Sequence, residues 1–355
     1  PLSLSGIQAV SKAYDGNTSA TLDLTNVVFS GQVFGDTLSV TGATGMFADK
    51  NVGSGKGVAI SSLSLAGADA GNYTFAPGSQ ASTADITQLA SVQWVGGATG
   101  NWFDPANWAG GAVPDLANVR DVIIPAGSSV SFGAPAVAPA QFGPVSLASL
   151  SGAGSLILDD GALSIGSGGL ALGGLDVTGG DLVSQGPATI GSYLQSGGIV
   201  NMMTDLTVTA SFNKTGGQLN VFGDLSIVSS PGATLDGLIF VQGNLDLISS
   251  NGPLSLGSVT VGGDLGVTTN GGAITQTGPL DVTGTTGLNA GGGDITLSNP
   301  GNLFGGAVTL TGGDVTLVTA GPLTTGTVTT TGDLTLTTNG PLSLGSVTVG
   351  GDLGV

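Results

Sequence analysis

From about Leu147 onward the chain repeats a short phrase: one or two Gly, usually an Asp, then alternating apolar residues. Its Asp positions are Asp181, Asp205, Asp224, Asp264, Asp294, Asp314, Asp333 and Asp352, with Asn244 standing in once. The successive steps are 24, 19, 20, 20, 30, 20, 19 and 19 residues. The stretch from Asn251 to Val267 (NGPLSLGSVTVGGDLGV) recurs letter for letter from Asn339 to Val355, 88 positions later. A period near twenty is the mark of a solenoid, in which each unit buries its apolar face only against its neighbours.

One unit, GDLTLTTNGPLSLGSVTVG, gives the geometry. Leu334 and Leu336 alternate with Thr, Leu342 and Leu344 with Ser, and Val347 and Val349 with Thr. Asn339-Gly340, Gly345-Ser346 and Gly350-Gly351 separate the three runs. Period-two runs between turn residues are strands, and the three-and-four spacing of a helix is absent. The fold class expected is all-β, with residues 146–355 forming a right-handed parallel β-helix. Its inward positions are Leu245, Leu247, Leu254, Leu256, Val259, Val261, Leu265, Val267, Leu334, Leu336, Leu342, Leu344, Val347 and Val349. The Thr and Ser between them face solvent. The 30-residue step between Asp264 and Asp294 leaves two readings open: an extended turn around Thr285 to Gly293, or an Asp294 placed on a different edge.

Gly (66) and Pro (15) are frequent enough to make disorder a competitor, and the period argues against it. There is no Cys and no His, and all 23 acidic residues are Asp. The cations are Lys12, Lys50, Lys56, Arg120 and Lys214, for a net charge of −18. Such a surface repels nucleic acid and anionic lipid, which need a basic footprint. A disulfide scaffold, a thiolate zinc site, a cysteine nucleophile and a Ser-His-Asp triad are excluded by composition. No run of eighteen apolar residues exists to span a membrane.

Residues 1–88 lack the twenty-residue beat. Runs such as Thr21 to Phe29 and Val58 to Leu65 alternate between Gly, Asp and Asn turns, which predicts a small antiparallel β-sandwich. Residues 89–145 hold all three Trp, Trp94, Trp102 and Trp108, in SVQWVGGATGNWFDPANWAGGAVPDLANVRDVIIP. They are expected to form a junction that caps the apolar end of the solenoid. The phrase SKAYDGNTSATL, with GNYTF and ADITQ near residue 80, resembles the YDG/MBG-type repeat domain of filamentous-haemagglutinin-like bacterial exoproteins. The Trp-Asn-rich segment resembles one found at the start of β-helices in bacterial passenger proteins. These resemblances imply two-partner secretion, an extracellular or cell-surface location, and a role as adhesin or biofilm-matrix component. Because the phrase that ends at Val355 runs on into further coils at its earlier occurrence, the chain is expected to be part of a longer polypeptide whose coils continue past Val355.

Candidate sites follow. Tyr14-Asp15-Gly16 reads as a tight turn with a packed ring. Trp94, Trp102 and Trp108 are the candidate glycan contacts, should a ring face remain open for stacking. Asp264, Asp294, Asp314, Asp333 and Asp352 are the candidate calcium ligands, although calcium rolls place Asp every nine residues and here it returns every nineteen or twenty. The competing reading is turn chemistry, in which each carboxylate accepts backbone N–H groups. An enzyme is not expected. Lys214 is the one cation of the solenoid, and Asp159-Asp160, its one adjacent acid pair, would point to opposite faces if on a strand and converge only in a turn. With few aromatics on the outer surface, the expected function is a stalk giving reach and stiffness. Weak, multivalent contact with exopolysaccharide or surface glycans accompanies it. A calcium-stabilised spacer and a polysaccharide-active β-helix enzyme are the alternatives.

Overall fold

A computed structural model describes residues 2–74, 80–133, 144–229, 232–250 and 252–355. Pro1, Asn251 and the last residue of the GNYTF motif, Phe75, lie outside the described residues. Two compact units are present: Pro1–Val95 with Pro105–Arg120, and Gly96–Asp104 with Asp121–Val355. Among the described residues the only helical turns are the 3₁₀ turns Ala70–Asn72, Pro105–Asn107 and Ala109–Gly111.

The first unit is a small, mostly antiparallel β body. Strands Gln80–Thr87, Gly53–Ser61, Thr44–Phe47 and Ser19–Ala20 pair in antiparallel succession, and Lys12–Ala13 lies parallel to the first of them. Three two-stranded antiparallel ribbons complete it: Ser3–Ser5 with Val28–Ser30, Gln8–Ala9 with Leu22–Asp23, and Ser39–Thr41 with Ser64–Ala66. The alternation of apolar residues is what these strands need: Leu4, Ile7 and Ile60 are buried, with Leu22, Val27, Phe29 and Val40 packed against them.

The second unit is a parallel β-solenoid of about ten turns with about 20 residues per turn. Each coil contributes to three ladders. The first runs Leu254, Ile274, Ile295, Val315, Leu334, Leu353. The second runs Leu163, Leu182, Val200, Leu219, Ile239, Val259, Leu280. The third runs Leu170, Ala188, Leu206, Leu225, Leu245, Leu265, Thr286, Val308. Rungs such as Leu182, Leu219, Leu245 and Leu334 are fully buried. The stack is held by apolar surface removed from water, worth roughly 25 cal/mol per Å².

These ladders decide the 30-residue step. Leu265, which follows Asp264, stands on the third ladder, whereas Ile295, which follows Asp294, stands on the first. Asp294 is on a different edge. The two identical phrases are placed differently as well: Leu265 of the first occurrence is on the third ladder, and its counterpart Leu353 is on the first.

Two expectations are corrected. Leu245, Leu247, Leu254, Leu256, Val259, Val261, Leu265, Val267, Leu334 and Leu336 are buried, but Leu342, Val347 and Val349 are half-buried and Leu344 is 43% exposed. In the structure these strands pair with the coil before them, Leu342 with Leu323 and Val347 with Val328. Nor do all hydroxyls face out: Ser184, Ser229, Ser249, Thr269, Thr319 and Thr330 are buried.

Candidate functional site

The buried hydroxyls follow from the same alternation that places the apolar rungs. Leu245, Leu247 and Ser249 are successive inward positions of one strand, as are Leu265, Val267 and Thr269. At that last inward position the chain turns, and a carbonyl from the turn faces inward. Ser249 donates its hydroxyl to Gly252 O at 3.0 Å, Ser184 to Gly186 O at 2.9 Å, and Thr330 to Gly332 O at 3.0 Å. Thr269 donates likewise to Gly272 O. An inward carbonyl left bare would cost about 1–3 kcal/mol, so a donor at this place stabilises the corner.

Longer donors do the same work on adjacent coils. Gln195 Nε2 reaches Gly197 O and Gly198 O at 3.1 and 3.3 Å, and Tyr193 donates to Gln195 Oε1 at 2.8 Å. On the next coil Lys214 is fully buried. Its Nζ donates to Gly216 O and Gly217 O at 2.8 Å and to Asp236 O at 3.1 Å. Three carbonyls match the three N–H donors of an ammonium. Burial opposes the charge and pushes the pKa down to about 8, partly offset by Asp236. The solenoid's one cation is thus a buried corner donor inside the stack. Above it Tyr193 and Phe212 stack at 5.0 Å with rings 6° apart, and burial raises the Tyr193 phenol well above its ordinary value.

The recurrent Asp has a second, outward role. Asp314 Oδ1 accepts the N–H of Asp333 at 2.8 Å, and Asp333 Oδ1 accepts the N–H of Asp352 at 2.8 Å. Asp294 holds Asp314 in the same way, and another column runs Asp205, Asp224, Asn244, Asp264 and Thr285. Each carboxylate accepts a backbone N–H from the following coil rather than from its own turn. The Gly before Asp224, Asp314, Asp333 and Asp352 is required by this contact. A Cβ on Gly332 would lie 1.9 Å from Asp314 Oδ1, and one on Gly351 2.2 Å from Asp333 Oδ1. Gly-Asp is one device: the Gly admits the carboxylate from the coil before, and the Asp extends its own to the coil after. Among the described residues no three acidic side chains group closely enough to hold a metal ion, so Asp264, Asp294, Asp314, Asp333 and Asp352 stand in columns rather than a cage.

The three Trp are packing groups. In the first unit Trp94 and Trp108 pair through an isolated antiparallel bridge, their rings 5.2 Å apart and nearly perpendicular. In the second, Trp102 meets Phe132 edge-on at 5.3 Å, and Phe103 packs on the same ring at 5.2 Å. None of the three indoles is more than 1% exposed, so no ring face is open to a sugar. Tyr14 is buried too, its phenol raised by burial and then by Asp115 and Asp15. Asp15 accepts from Lys12 Nζ at 2.7 Å and from Asn17 N at 3.2 Å, and Gly16 turns at φ +74° against Gly111 O. The tripeptide is a turn packed into the sheet.

What the outer surface of the solenoid does expose is different. Phe222, Leu238, Phe240 and Ile199 are 42, 58, 38 and 40% exposed, and all belong to the second ladder or the turn just after it. Sequence reasoning passed over them because it followed the repeat, and these residues are where the repeat's Thr and Ser are replaced.

Residues 1–83 match the YDG domain family. Residues 242–311 and 312–355 match a family described as repeats of unknown function, DUF5649. No curated protein and no solved structure matches the chain. The YDG match, the repeats and the parallel solenoid together fit a β-helix repeat protein.

Proposed function

We propose that this chain is a stiff stalk segment of a large bacterial surface or biofilm-matrix adhesin of the filamentous-haemagglutinin-like kind, secreted by the two-partner route. It presents surface at a distance, binds exopolysaccharide or cell-surface glycans weakly, and carries no catalytic centre. The observation that supports this reading is the unbroken stacking. Three ladders of buried rungs, with inward donors such as Ser249 and Thr269 sealing several corners, give a body whose coils cannot shift singly without exposing apolar surface. The YDG match and the repeats point the same way. The experiment is display of the parent protein on its host with residues 146–355 present or deleted. Loss of cell or matrix attachment, with unchanged export, supports a stalk. Attachment unaffected by the deletion refutes it, and turnover of a polysaccharide by the purified chain refutes the absence of catalysis.

A further inference from the structure

On the outer face of the second ladder three consecutive coils combine exposed apolar side chains with mutually hydrogen-bonded carboxamides. Ile199 and Asn201 lie on the first, Gln218, Asn220 and Phe222 on the second, and Leu238 and Phe240 on the third. The register superposes them: Ile199 pairs with Gln218 and Gln218 with Leu238, while Asn201 pairs with Asn220 and Asn220 with Phe240. The carboxamides are wired to one another. Gln218 Nε2 donates to Asn220 Oδ1 at 3.0 Å, and Asn220 Nδ2 donates to Asn201 Oδ1 at 2.7 Å. Each NH₂ has a second N–H that this chain of bonds does not use. The Phe222 and Phe240 rings meet at 6.1 Å and 62°, giving an apolar ridge beside the amides.

We infer that this grid is a contact site for a neutral polysaccharide. The chemistry is that of a sugar-binding surface: ring faces and aliphatic groups for the C–H faces of a pyranose, and oriented carboxamides that both donate to and accept from hydroxyls. Charge selects a neutral ligand. The three coils carry no ionised side chain on this face, while Asp181 precedes the grid and Asp281 follows it two coils beyond Phe240. On a chain of net charge −18 an anionic polymer meets repulsion and no cation to offset it. Size argues against a protein partner. Three coils at about 4.8 Å and five residues at about 3.3 Å make a face of roughly 10 by 13 Å. That is far below the ≈800 Å² per partner of a stable protein interface, and it suits a short run of sugar rings.

The inference rests on the proposed extracellular role, and its test separates the two. Native gels of the whole chain are run with hydroxyethylcellulose, dextran or alginate cast in the matrix. The wild type is expected to be retarded by at least one of the neutral polymers and not by alginate. Phe222→Ala, Phe240→Ala and Asn220→Asp, each with unchanged circular dichroism, should bind about tenfold more weakly. Ile248→Ala, exposed on the third ladder, should bind as the wild type does. Retardation that survives the grid variants places the glycan contact elsewhere and overturns the assignment while leaving the adhesin reading intact. No retardation in either neutral polymer, or equal retardation in alginate, overturns it as well. Micromolar self-association abolished by Phe240→Ala would reassign the grid to a second copy of the chain.

Discussion

Gly332→Ala should be destabilising in the native chain and stabilising when Asp314 is absent. The new Cβ lies 1.9 Å from Asp314 Oδ1 and 3.0 Å from its Cγ, so the carboxylate must swing away and give up the Asp333 N–H it holds at 2.8 Å. A hydrogen bond to a charged group contributes about 1.5–3 kcal/mol, and exposure of Asp314 to water reduces this to about 1–2. Against that loss, Gly332 does not turn at positive φ, so Ala restricts the unfolded chain and returns about 0.4–1 kcal/mol. The expected net cost is about 0.8 kcal/mol, within a range of about 0–1.6 kcal/mol. In an Asp314→Ala background the nearest remaining atom is Asp314 N, at 3.5 Å, an ordinary contact. There Gly332→Ala should raise stability by the entropic amount alone. A double-mutant cycle by denaturant unfolding, with hydrogen exchange at the Asp333 amide as a local probe, reads the coupling directly. Additive effects within about 0.3 kcal/mol would refute the claim that Gly-Asp acts as a single inter-coil device.

Lys214 makes stability depend on pH. The folded state releases its proton near pH 8 while the unfolded chain keeps it to about 10.5, so stability should rise from pH 8 to 9.5 by about 1–2 kcal/mol. Lys214→Met should flatten that rise in thermal melts, and a parallel rise in both proteins would refute the assignment. Val261→Asp places a lone charge on a fully buried rung of the second ladder and should cost several kcal/mol, or prevent folding, by circular dichroism. Chelation of calcium should leave the melting temperature unchanged, since the Asp294, Asp314 and Asp333 carboxylates are each engaged with a backbone N–H of the next coil; a drop of several degrees would restore the calcium reading.

The period of twenty and the alternation within it made the ladders legible, because inward and outward positions on a strand differ by one residue. The same alternation, carried one step past Leu247 and Val267, lands on Ser249 and Thr269. Reading hydroxyls as outward by type rather than by phase is what hid the corner donors. The Asp step of 30 was legible as either an extended turn or a change of edge, and the spacing alone did not choose between them. Only the register places Asp294 before Ile295 on the first ladder and Asp264 before Leu265 on the third. Trp94, Trp102 and Trp108 were legible as large aromatics at a boundary. Nothing in their spacing fixes how much of each ring a neighbour covers, and Phe132, which covers Trp102, is thirty positions away.

The placement of one phrase on two ladders has a consequence for where recognition can reside. A stretch that folds as the third ladder at Leu265 and as the first at Leu353 specifies a strand and a corner, not a particular side of the solenoid. All three sides then share one rule, apolar rungs inward and Gly where the next coil approaches, and many strands add a donor at the last inward position, as at Ser249 and Thr269. Those constraints consume the inward and corner positions and leave the outward ones to be set by solvent alone, which favours the Thr, Ser and Asp seen over most of the surface. An outward position that departs from them brings nothing to the stack. Leu238, more than half exposed, shields no rung, and the Phe240 ring lies outside the ladder whose inward side Ile239 and Val241 already fill. Exposed apolar groups side by side with hydrogen-bonded amides on three successive coils carry a solubility cost without a packing gain. A ligand that covers them supplies the missing gain, and this is why the second ladder between Ile199 and Phe240, rather than the aromatic junction, is where binding should be sought.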